Sequence, residues 1–233
     1  GGLTVRGLTR VYETQYALDR LDADFPPALV TAVLGPNGAG KSTLIGILST
    51  LMRPSEGQIF IDGKPVDLSS EVFRSRMGYV GHRTMVYGNL TARENLKFFG
   101  ALYGTDQLEE RAQDMLVAVG LEQEGDRPVT EFSRGMAQRL AIGRALIADP
   151  DFLLLDEPFT GLDQQGIELS LALFSAARDA GAALILPSHD LPLVERIADR
   201  CLVLRRGRKR FEGPIDGPLN RVYETALSVG TTA

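Results

Sequence analysis

Apolar and polar residues change rhythm several times along this chain, and each rhythm predicts an element. Residues 3–11 and 17–25 alternate in places, as edge strands do. Leu29-Val30-Thr31-Ala32-Val33-Leu34 is apolar and β-branched, the texture of a buried strand. A glycine-rich segment, 35–40, separates it from Leu44-Ile45-Gly46-Ile47-Leu48-Ser49-Thr50-Leu51, a mostly buried helix. Arg53-Pro54-Ser55-Glu56-Gly57 is a turn, and residues 58–62 alternate up to Gly63 as a strand and turn. Residues 73–80 lead into Gly81-His82-Arg83 as a strand end and loop.

A helical texture follows. Thr91 and Glu94 have the spacing of a capping box, and Leu96, Phe98, Phe99 and Leu102 continue the helix. Residues 106–119 form a second helix, with Leu108, Met115, Leu116 and Val119 near one face. After the polar loop 122–130, Ser133 opens a third helix over 135–148. Strand and helix then alternate again. Strand 152–155 stops at Asp156-Glu157-Pro158, and a helix covers 165–180. Strand 182–186 ends near Ser188-His189-Asp190, and 191–199 is helical. Strands 201–205 and 209–212 flank a turn at Gly207. The pattern predicts one α/β domain over 1–233. Its core spans 1–82 and 148–233 with an antiparallel edge, and a helical subdomain is inserted at 83–147.

Composition narrows the function classes. With 233 residues, 44% hydrophobic and 24% charged, the chain can bury a substantial core. A net charge of −5 weighs against a nucleic-acid binder, which needs a basic face. The basic run 205–210 is the one feature in favour, and the strand character of Leu204 and Phe211 makes it a solvated hairpin turn. The single cysteine, Cys201, excludes an internal disulfide framework and lies in an apolar strand, where buried packing is expected. No apolar run approaches the ~20 residues that span a bilayer, and no signal peptide is expected. A membrane role must then come through a partner.

Chemistry concentrates in Gly35-Pro36-Asn37-Gly38-Ala39-Gly40-Lys41-Ser42-Thr43, which fits G-x-x-x-x-G-K-[ST] between a strand and a helix. Glycines let successive N–H groups turn toward phosphate oxygens, and the following helix N-terminus favours the same anion. Lys41 is placed to reach the β- and γ-phosphates, Ser42 to ligate Mg²⁺, and Thr43 to add a phosphate contact. Asp156, at the end of an apolar strand, can hold Mg²⁺ through water, and Glu157 beside it can polarise an attacking water. His189 follows another buried strand at the same edge. Tyr12 by itself reads as a half-buried strand aromatic, with a stacking platform for a base as the lesser reading.

Taken together, these residues resemble the nucleotide-binding subunit of ABC transporters over essentially the whole chain. Gly35 to Thr43 matches the Walker A motif, and 152–157 matches Walker B with its following glutamate. Phe132-Ser133-Arg134-Gly135-Met136 stands where that family carries LSGGQ, followed by Gln138-Arg139. Thr160-Gly161-Leu162-Asp163 matches the D-loop, His189 the switch histidine, and Tyr12 the adenine-stacking aromatic. The resemblance implies a P-loop NTPase, RecA-like core that binds ATP and Mg²⁺. It also implies a head-to-tail dimer, with itself or a second ABC subunit, in which Ser133 and Gly135 of one chain complete the ATP site of the other. Glu157 would act as general base or water-orienting group, His189 would contact the γ-phosphate and the attacking water, and Asp163 would couple the two sites.

Departures point to a subgroup. His82 stands where the family usually has a Gln that touches Mg²⁺, and imidazole binds a metal only when neutral. Arg134 and Met136 replace the second and fifth signature residues. Gly81-His82-Arg83 and the 156–163 run with Gly166 look like the ATPase of the cytochrome c maturation, or haem exporter, group. A drug or lipid exporter is the alternative. The expected partners are integral membrane subunits rather than nucleic acid, and the expected place is cytoplasmic, peripheral at the inner face of the membrane. A GTPase is disfavoured by the absence of an Asn-Lys-x-Asp loop.

Overall fold

The computed structural model describes residues 2–228. Strands β1 (Leu3–Tyr12), β2 (Gln15–Phe25) and β3 (Val30–Leu34) precede helix α1 (Lys41–Leu48). Then come β4 (Glu56–Ile61), β5 (Lys64–Pro65), a short helix α2 (Glu71–Ser75) and β6 (Met77–Val80). Helices α3 (Ala92–Leu102), α4 (Leu108–Ala118) and α5 (Arg134–Leu146) follow without an intervening strand. The chain closes with β7 (Phe152–Leu155), α6 (Gln164–Asp179), β8 (Ala183–Pro187), α7 (Leu191–Glu195), β9 (Arg200–Arg205), β10 (Arg208–Pro214) and α8 (Leu219–Ser228).

Two sheets result, one antiparallel in the order β2-β1-β4-β5, the other in the order β10-β9-β3-β8-β7-β6. Strands β9, β3, β8, β7 and β6 of the second sheet run parallel, and β10 pairs antiparallel with β9. Several sequence expectations need correction. β1 is interior, flanked by β2 and β4, because both of its backbone edges find partners. Phe73 belongs to α2, where it buries its ring in the core. Helix α7 stops four residues early, and β5 and α8 are additional elements.

Alternation along the parallel strands assigns neighbouring residues to different cores. Val30, Ala32, Leu34, Leu153, Leu155, Leu184 and Leu186 face one core, shared with Leu96, Phe99, Leu116 and Leu140 of the three-helix lobe. Val33, Phe152, Leu154, Ala183 and Ile185 face the other, with Leu44 and Ile47 of α1 and Leu3, Leu8 and Phe25 of the antiparallel sheet. Burial on both faces is why these strands read as unbroken apolar runs. Each such fully buried side chain contributes about 1.5–3 kcal/mol.

The helical lobe is fastened by polar contacts. Thr91 and Glu94 form both bonds of the capping box. Arg139 Nη1 donates to the carbonyls of Val119 and Gly120, covering the C-terminal end of α4. Asn95, fully buried, accepts from Tyr87 N and donates to Tyr87 O and Thr91 O, which stitches the loop 87–91 to α3.

Candidate nucleotide site

Four parallel strands deliver the expected residues to one sheet edge. In the order β3-β8-β7-β6, their C-terminal ends lead into the phosphate loop, His189, Asp156-Glu157 and His82. This is the edge at which open α/β sheets bind ligands. The loop is shaped by close packing. A Cβ on Gly40, at φ 106°, would lie 2.5 Å from Ala17 O, so this position requires glycine. Ala39 N donates to Pro36 O at 3.1 Å, closing the turn before α1. No acidic residue sits in the first turn of α1, and Leu44 N is the N–H that reaches back to Gly40 O. The N–H groups of Lys41, Ser42 and Thr43 precede that bond and form the donor end of the helix. Lys41 Nζ donates to Gly35 O (2.6 Å) and Pro36 O (3.2 Å), which fixes the ammonium at the loop. Partial burial lowers the Lys41 pKa, opposed by the negative charge of Glu157. The donor set, all N–H groups and a cation, fits a polyphosphate.

The acid pair is held from β7. Asp156 N donates to Val80 O at 2.8 Å, continuing the β6–β7 ladder. Burial raises the Asp156 pKa, the neighbouring Glu157 charge raises it further, and His82 opposes both. Glu157 occupies a left-handed backbone, φ 53°, which costs about 1–3 kcal/mol for a residue with a side chain. His189 Nδ1 lies 3.6 Å from Glu157 Oε1. Both line a cleft of about 250 Å³ with Pro158, Thr160, Ser188 and Asp190. A larger concavity of about 480 Å³ lies between β10 and α8, away from this edge. Among the described residues no group of three His, Cys, Asp or Glu side chains could hold a metal. Ser42 and Asp156 offer the hard oxygen donors that Mg²⁺ takes, so phosphate oxygens and water would have to supply the rest.

The other predicted residues group elsewhere. Ser133 caps α5, accepting from Met136 N at 3.2 Å. A Cβ on Gly135 would lie 2.9 Å from Gly161 O, so the segment 133–135 is pressed against the loop 158–163. Exposed Arg134 lays its stem over Gly161. Asp163 caps α6 through Gly166 N at 2.8 Å. Tyr12, 43% exposed, donates to Met52 Sδ and carries the Arg10 guanidinium 4.8 Å from its ring centre. Its hairpin is tied to the phosphate loop through Ala17. Two buried polar residues of α5 were not expected at the site. Gln138 donates to Pro158 O, and Arg144 donates to Tyr79 O at the end of β6. A charge inside the apolar stretch 140–147 is the signal that could have flagged Arg144.

Residues 18–160 match the ABC transporter family. The chain is 38% identical over 209 residues to the daunorubicin/doxorubicin resistance ATP-binding protein of Streptomyces peucetius, covering 89% of this chain and 63% of that protein. It is 35% identical over 213 residues to a Nod factor export ATP-binding protein of Cupriavidus metallidurans, covering 91% and 70%. It is 36% identical over 210 residues to the bacitracin transport ATP-binding protein of Bacillus licheniformis, covering 90% and 68%. The chain thus spans roughly two thirds of the length of these relatives. Among solved structures, the ATP-binding subunit of an ABC transporter superposes with a TM-score of 0.90 at 29% identity, over 97% of this chain and all of that one. A dimeric ATP-binding cassette in a post-hydrolysis state with ADP and Pi gives 0.82 at 26% identity, over 92% and 99%.

Proposed function

This chain belongs to the ABC transporter family as an ATP-binding subunit, and we propose that it hydrolyses ATP at the β3-β8-β7-β6 edge to drive export through separate membrane subunits. The observation that carries this reading is the delivery of Lys41, Glu157 and His189 to one sheet edge by β3, β7 and β8, with His189 Nδ1 3.6 Å from Glu157 Oε1. In this reading the α1 N-terminus and Lys41 bind the phosphates. Glu157 orients and deprotonates the attacking water, while His189 steadies Glu157 and reaches the γ-phosphate. Ser42 and Asp156 would hold Mg²⁺, which would neutralise charge on the phosphates when bound. His82, just past the end of the adjacent strand β6, is not needed as a ligand in this reading. Tyr12 stacks on the adenine from its hairpin.

A dimer completes the site, with Ser133 and Gly135 of a second ABC subunit facing the γ-phosphate and Asp163 near the junction. The neighbour solved as a dimer with ADP and Pi supports this arrangement. Among the described residues no helix is long and apolar enough to cross a membrane. The membrane subunits are separate chains in this reading. They place the protein at the inner membrane face. Two cargo classes were expected. The named relatives act in drug resistance, bacitracin transport and Nod factor export, which favours the drug or lipid exporter and lends no support to haem or cytochrome c maturation. In the basic run, Arg208 pairs with Asp19 and Lys209 with Glu212, which supports a solvated hairpin over a nucleic-acid surface.

The test is ATP turnover by the purified chain with and without membranes containing its co-purifying partner. Lys41→Ala should abolish ATP binding and hydrolysis, and ATP should be preferred to GTP. Undiminished hydrolysis in Lys41→Ala would sink the reading.

A further inference from the structure

Gln138 lies on α5, yet its side chain reaches the residue that follows the acid pair. Only 5% of the residue is exposed, and Nε2 donates to Pro158 O at 2.9 Å. Pro158 has no N–H, so this carbonyl is the hydrogen-bonding group it offers. It directly follows Glu157, whose φ of 53° persists only where its surroundings fix it. Asp156 N is fixed on one side by Val80 O, and Thr160 N closes a turn on Glu157 O at 3.2 Å. Gln138 adds a side-chain grip on the far side of Glu157. The helix that carries Gln138 begins at Ser133–Gly135, already pressed on Gly161, and its far end holds Tyr79 O through Arg144. One helix therefore touches the backbone just after Asp156-Glu157 and the backbone of β6, the strand paired with β7.

We propose that Gln138 is a positioning residue for hydrolysis. Through its bond to Pro158 O it fixes the backbone at Glu157 and transmits movement of the α5 N-terminus to the Glu157 carboxylate. The proposal rests on the reading of Glu157 as the water-activating group.

The test compares kcat and KM for ATP in the full chain for Gln138→Glu, Gln138→Met and Glu157→Gln, each assayed well below its own Tm. An ionised glutamate at 138 repels Pro158 O, whereas a protonated one donates to it. For Gln138→Glu, kcat should fall about 10- to 100-fold at neutral pH with KM nearly unchanged. Its kcat relative to wild type should recover between about pH 8 and about pH 6, as burial favours the protonated acid. Gln138→Met, lacking a donor, should show the same loss without that recovery. Wild-type kcat in either folded variant overturns the proposal. So does a loss in both that is independent of pH and follows a fall in Tm, which would mean that the amide only satisfies the core. Should Gln138→Met fail to fold, the pH profile of Gln138→Glu decides alone. If Glu157→Gln keeps turning over ATP, the base assignment fails whatever Gln138 does. If Glu157→Gln is inactive while both Gln138 variants behave as wild type, only the positioning role fails.

Discussion

His189 Nδ1 stands 3.6 Å from Glu157 Oε1, although 32 positions separate the two residues. Strands β7 and β8 are hydrogen-bonded neighbours, so the loops that follow them meet at one edge. At 3.6 Å a small approach makes a hydrogen bond, through which the imidazole can orient the carboxylate. Glu157→Gln preserves shape but removes the proposed base. It should bind ATP normally and lower kcat by at least about 100-fold. Equilibrium binding and steady-state turnover measured on one preparation check this; near-normal turnover refutes the role.

Gly135 faces a backbone oxygen rather than open space. Gly135→Ala places a methyl 2.9 Å from Gly161 O and must push the signature segment off the loop 158–163. The expected outcome is retained ATP binding, turnover reduced about 10-fold or more, and a stability cost of about 1–3 kcal/mol. Binding, turnover and thermal unfolding report the three effects separately. Wild-type turnover would show that the contact is incidental.

Tyr87 and Phe98 are about half exposed, and their rings meet edge to face at 5.2 Å, backed by Phe99. Buried Asn95 fixes the loop that carries Tyr87. A rigid, exposed aromatic cluster beside the β6 loop suits a helix from a membrane partner. Tyr87→Glu and Phe98→Glu should uncouple transport in reconstituted vesicles while basal ATPase changes by no more than about twofold. Loss of nucleotide binding instead would mean that this surface serves the ATP site.

Asp156 gives a pH-dependent prediction. Its pKa in the folded protein is raised by burial and by Glu157. Between its ordinary value and that raised value the folded state keeps a proton that the unfolded chain releases. Stability from this group is therefore present in acid and lost as pH rises through the folded pKa, and at neutral pH the ionised group destabilises the fold. Asp156→Asn should raise the Tm of the nucleotide-free protein at neutral pH by about 2–4 °C. The difference should disappear near pH 4, and Mg²⁺-dependent ATP affinity should fall. An unchanged or lower Tm at neutral pH contradicts the assignment.

The site was legible where sequence neighbours carry it. The phosphate loop, the acids ending an apolar strand and the Thr91–Glu94 box each lie within a few residues, and each forms where expected. Contacts between distant segments were not legible. No local pattern announces that Gln138 bonds to Pro158 or that Asn95 is fully buried, because tertiary packing decides both. The left-handed backbone of Glu157 is likewise invisible to propensity, which disfavours it. Helix α8 does carry helical spacing at Leu219, Val222, Tyr223, Ala226 and Leu227, but Gly213, Pro214, Gly217 and Pro218 in front obscure its start. β1 alternates like an edge strand because alternation reports one buried face, not whether both backbone edges are paired.

Leu153 and Leu154 are adjacent in sequence and face opposite cores. The parallel sheet is thus a party wall, and neither side can be rebuilt alone. A helical lobe transplanted from a relative to change its membrane partner would have to match the shapes of Leu153, Leu155, Leu184 and Leu186. A graft that ignored them would loosen the strands on which Asp156 and His189 stand. Exchange of parts among such proteins is then constrained less by the surface that meets the partner than by the hidden face of two strands, β7 and β8.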